Sequence, residues 1–73
     1  MEEKFFLDLI ISELETLDIT LETRFRDLDE WDSLTGMSII LVLEENYKIK
    51  ISDDIFREFN TFSDIYLFLK SKQ

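Results

Sequence analysis

Residues 32–51, DSLTGMSIILVLEENYKIKI, admit two folds. Ile39 to Leu43 is an apolar run rich in β-branched residues, and Tyr47 to Ile51 alternates apolar with charged side chains. Together they read as a hairpin turning at Glu44-Glu45-Asn46. The same residues read as a helix: Leu34, Met37, Ile40 or Leu41, Leu43 and Tyr47 form one apolar face, and Asp32 or Ser33 is a good N-cap. Periodicity does not choose between them.

Upstream, apolar residues at Phe6, Ile10, Leu14 and Leu17 recur at helical spacing while Glu3, Glu13 and Glu15 fall off the stripe. This predicts a first helix from Glu2 to about Leu17, broadened on its apolar side by Phe5, Leu7 and Ile11. Residues Asp18 to Trp31 lose the period. Ile19, Leu21, Phe25, Leu28 and Trp31 nevertheless recur as anchors, which predicts a long ordered loop, a feature that in small domains accompanies function.

Downstream, Ser52-Asp53-Asp54-Ile55-Phe56 reads as a cap and a short helix whose acidic first turn complements the helix dipole. Thr61-Phe62-Ser63-Asp64 has the spacing of a capping box with Asp in the usual Glu position. A last helix through Ile65, Phe68 and Leu69 then runs to about Lys70, with Lys70 and Lys72 placed where cations favour a helix end.

Seventy-three residues make one domain (1–73) with one modest core, and 45% hydrophobic residues, seven of them Phe, are enough to fold it without a metal or disulfide. Cysteine and histidine are both absent, which removes the usual zinc sites, thiol nucleophiles and imidazole acid–base chemistry. Seventeen acidic residues against eight basic ones give a net charge of -9, which disfavours nucleic acid and anionic membranes as partners. The acidic, charge-interrupted start MEEKFFLDLIISELE is unlike a signal peptide or membrane span, so a cytoplasmic protein is expected.

Three chemical readings of the acidic loop and its serine fail on residue types. A calcium loop counted from Asp27 needs Gly at its sixth position and Glu at its twelfth, where Asp32 and Ser38 stand. Paired-carboxylate catalysis needs an acid desolvated in a cleft, for which so short a chain has little room. Ser33 as a hydrolytic nucleophile lacks a histidine and a Gly-x-Ser-x-Gly elbow. The expectation is therefore no enzyme and no metal site.

Asp32-Ser33-Leu34, an apolar stretch, Glu44-Glu45-x-Tyr47, Ile49-x-Ile51, Asp53-Asp54 and Thr61-Phe62-Ser63-Asp64 together resemble the acyl carrier protein family over roughly Asp27 to Leu69. The resemblance implies an all-α bundle of three main helices plus one short one, with a second helix from about Ser33 to Tyr47. It also implies 4'-phosphopantetheine from coenzyme A on Ser33, attached by a separate magnesium-dependent phosphopantetheinyl transferase. An exposed serine at a helix N-terminus suits this, because the helix dipole and free N–H groups there favour a phosphodiester. The arm's thiol would hold acyl groups as thioesters for acyl-loading and acyl-processing enzymes with basic docking patches, and the apolar interior could receive the acyl chain.

By position, Asp32, Leu34, Met37, Leu41, Glu44, Asp53 and Asp54 are expected to touch those partners. Plain alternatives stand beside each: an N-cap for Ser33, core packing for Met37 and Leu41, a solvated face for Glu44, Asp53 and Asp54. A monomeric, stand-alone carrier is the implied form. Three departures from the common pattern, Glu30-Trp31 before the triplet, Gly36, and neutral Thr35 and Ser38, turn the expectation toward a specialised lipid, polyketide or related pathway. A small acidic interaction module without a prosthetic group is the alternative.

Overall fold

The computed structural model describes residues 3–16 and 18–73. Helix α1 is Glu3–Leu14, α2 Ser33–Tyr47, α3 Asp53–Arg57 and α4 Phe62–Ser71, with a 3₁₀ turn at Phe25–Asp27. Three main helices and one short one are the arrangement that the family resemblance implies, and residues 32–51 are helix and connector with no hairpin.

Helix α1 buries Phe6, Ile10 and Leu14 and ends sooner than its stripe suggests, because Glu15 turns left-handed at φ 58° while its N–H still bonds to the Ile11 carbonyl at 2.7 Å. A glutamate carries no signal for that conformation, which glycine normally supplies. Glu2 and Leu17, which bounded the expected helix, lie outside the described residues.

In α2 the buried face is Gly36, Ile39, Leu43 and Tyr47, with Ile40 half-buried. Leu34, Met37 and Leu41, grouped with Leu43 and Tyr47 on the expected apolar face, are instead 76%, 60% and 57% exposed. The helix is apolar nearly all round, so its phase is set by what packs on it, α1 among them. Lys48, left-handed at φ 59°, closes it by donating its N–H to the Glu44 carbonyl.

The alternation of YKIKI survives without a strand: Tyr47 and Ile51 are buried, Ile49 is half-buried, and Lys48 and Lys50 face water. The Ile51 N–H, which a ladder would have satisfied, donates to Glu44 Oε2 at 2.8 Å.

The long loop is held as its anchors suggest. Ile19 and Phe25 are buried, and Leu21, Leu28 and Trp31 pack partly against the core. Two backbone bonds lace it to the start of α4, from Phe62 N–H to the Thr23 carbonyl and from Ser63 N–H to the Leu21 carbonyl. Helix α4 starts on a complete capping box, Thr61 accepting from the Asp64 N–H and Asp64 accepting from the Thr61 N–H.

Candidate functional site

Asp32 sits in extended backbone and its Oδ1 accepts the Thr35 N–H at 2.8 Å, so Asp32, not Ser33, caps α2. That bond holds the Asp32 carboxyl below the ordinary carboxylate range, with a smaller contribution from the Leu34 N–H. Ser33 is the first residue of the helix and exposed, its hydroxyl released from capping. The first-turn donors are thus partly engaged by Asp32 instead of standing free for an incoming anion.

Beside Ser33 runs an open groove of about 550 Å³ between α2 and α3, lined by Arg26, Trp31, Gly36, Met37, Ile40 and Phe56, with Asp32 and Asp53 at its rim. Its wall is aromatic. Trp31 stacks on Phe56 with ring centroids 6.3 Å apart and planes 11° from parallel, and lies 4.7 Å from the fully buried Phe25. A Cβ on Gly36 would come within 3.1 Å of the Trp31 indole, so the two departures at positions 31 and 36 are one feature: the missing side chain makes room for the ring.

Arg26 escaped the sequence reading. Its guanidinium donates to the Phe59 carbonyl and, at 3.0 Å, to the Phe56 carbonyl, while lying 4.7 Å from the Phe25 ring centroid. It ties the long loop to the end of α3 from 30 residues away in sequence, where no local pattern could reveal it.

The expected partner residues do not form one cluster. Leu34, Met37 and Leu41 share the outward face of α2. Asp32, Ser33, Met37 and Asp53 meet at the groove, whereas Leu41 and Glu44 line a separate concavity with Lys48 and Lys50 near the end of α2. Glu44 is half-buried and engaged with the Ile51 N–H, so it positions the connector; Asp54 is exposed and lies 3.4 Å from Arg57 on its own helix. Among the described residues no group of His, Cys, Asp or Glu is placed to hold a metal ion, and Asp27 instead faces Arg24 at 3.8 Å.

A serine hydroxyl thus stands in solvent, freed by its neighbour from capping, beside a groove with largely apolar walls. Residues 5–69 match the family described as "Phosphopantetheine attachment site". The chain is 36% identical over 64 residues to an acyl carrier protein of aster yellows witches'-broom phytoplasma, covering 85% of this chain and 84% of that one. It is 39% identical over 61 residues to an acyl carrier protein of Treponema denticola, covering 84% and 78%. An acyl carrier protein of Treponema pallidum is 40% identical over 60 residues, covering 82% and 77%.

Proposed function

The chain belongs to the acyl carrier protein family, and from that premise we propose that Ser33 is the residue bearing its 4'-phosphopantetheine arm. The supporting observation is the division of labour at the start of α2: Asp32 caps, and Ser33 stands exposed with no capping role. The arm, drawn from coenzyme A by a separate magnesium-dependent transferase, supplies a terminal thiol on which an acyl group is held as a thioester. A chain with no cysteine has no thiol of its own for that purpose.

The protein's own residues hold and present this arm. Asp32 keeps the first turn of α2 formed, and Met37 and Ile40 border the groove along which the arm can lie. Leu34, Met37 and Leu41 offer partner enzymes an apolar face, while Asp53 and Asp54 offer charge to basic docking patches. The chain catalyses nothing itself. It works in the cytoplasm, as a monomeric shuttle, in a specialised biosynthetic pathway.

Intact mass after incubation with coenzyme A and a promiscuous phosphopantetheinyl transferase tests this. The wild type gains the mass of one arm and Ser33→Ala gains none, while both keep a strongly helical circular-dichroism spectrum because Asp32 still caps α2. Modification that persists in Ser33→Ala would move the arm to another residue. No modification of the wild type would restore the reading as an acidic interaction module.

A further inference from the structure

The side of the bundle that faces Ser33 is closed by an aromatic wedge. Trp31 is the last residue but one before the attachment serine, and its indole fits between the first turns of α2, where Gly36 yields it space, and Phe56 of α3, on which it stacks. Behind it stand Phe25 and Phe62, both with 0% exposure, the second with its ring centroid 6.3 Å from Trp31. Arg26 secures the far side by bonding the Phe56 carbonyl of α3 and the Phe59 carbonyl just beyond it, and by covering the rings of Phe25 and Phe56. A straight alkyl chain entering the seam from the arm would have to displace an indole packed on three phenylalanines, since a close-packed interior does not yield space gradually.

We propose that Trp31 is a specificity-determining residue: it shuts the α2–α3 seam to long alkyl chains, so the carrier shelters short acyl groups in the outer groove and leaves the ends of long ones in water. The proposal rests on Ser33 as the attachment point. Its physical basis is that each methylene gains only where it can leave water, and outside the wedge the apolar surface open to it is the groove wall of Trp31, Met37 and Phe56.

Acetyl, hexanoyl and decanoyl forms, made from the corresponding coenzyme A thioesters with a promiscuous transferase, provide the test. A mass gain at Ser33 establishes the arm first, and its failure would strike the carrier reading rather than the wedge alone. In the wild type, melting temperature is expected to be the same for hexanoyl and decanoyl forms, and emission of Trp31, the single tryptophan, is expected not to shift between them. In Trp31→Leu, decanoyl is expected to raise the melting temperature above hexanoyl by about 4 °C or more as added methylenes enter the vacated seam. A wild type whose melting temperature climbs with chain length, or whose Trp31 emission moves with it, overturns the proposal. So does a folded Trp31→Leu that behaves as the wild type. The wild-type measurements can overturn the proposal even where Trp31→Leu folds poorly.

Discussion

Gly36 is where one residue's cost is another's accommodation. Glycine inside a helix is less favourable than alanine by about 1 kcal/mol, so Gly36→Ala would ordinarily stabilise α2. Here the added methyl meets the Trp31 ring at 3.1 Å, and the ring is held by Phe25 and Phe56. Gly36→Ala in the wild type is therefore expected to yield little or none of that gain, whereas in a Trp31→Leu background it yields most of it. Urea denaturation of the four proteins measures the coupling, expected at roughly 1 kcal/mol for residues in direct contact. Strict additivity would mean that the indole moves aside freely.

At the scale of elements, the helix starts are the most local features of the fold. The α4 capping box is the clearest: Asp64 Oδ2 accepts from the Asn60 N–H at 2.8 Å and the Thr61 N–H at 3.0 Å, and these bonds hold its carboxyl below the ordinary range, with burial opposing. A folded-state pKa below the unfolded one makes the carboxylate stabilising above the unfolded value of about 3.9, and that contribution fades as pH falls through the folded pKa. Asp64→Ala is thus expected to lose about 1 kcal/mol at neutral pH, where its carboxylate is charged and accepts both N–H groups. The gap to the wild type should close on acidification below about pH 4. Urea midpoints for both proteins from neutral pH downward check it, and a gap independent of pH would assign the loss to packing instead of the charged bonds.

For the whole molecule, a net charge of -9 sets how it meets other proteins, since complementary potentials speed encounter and suppress wrong partners. On α2 that charge is absent beside Ser33: Ser38 is exposed, Thr35 is half-buried, and the neighbouring outward residues are Leu34, Met37 and Leu41. Enzymes of housekeeping fatty-acid synthesis with basic docking patches should accept the wild type poorly, and Thr35→Asp with Ser38→Glu should improve it. The improvement should shrink with salt, because screening lengths fall to about 8 Å at physiological ionic strength. Apparent second-order rate constants of such an acyltransferase for both proteins, at low and high salt, provide the measurement. A wild type already efficient, or a double variant with no gain at low salt, would remove surface charge as the selector.

Short-range signals were sufficient wherever the physics is short-range. Ser52 and Thr61 cap the helices that follow them through bonds spanning three residues, and the Phe6, Ile10, Leu14 stripe buries itself at its own spacing, so the sequence alone determined these elements. The likeness of Asp32-Ser33-Leu34 and its downstream pattern to a carrier family decided between hairpin and helix where periodicity could not. The phase of α2 was another matter. Its apolar residues surround the helix, and only packing with the rest of the bundle turned Ile39 and Leu43 inward and Leu34, Met37 and Leu41 outward. Left-handed Glu15 and the grip of Arg26 on the end of α3 were equally invisible, the first because glutamate does not announce it, the second because its partners lie 30 and 33 residues away. The tertiary structure alone brought Trp31, Gly36 and Phe56 together, because close packing is a property of surfaces that meet only after the chain has folded.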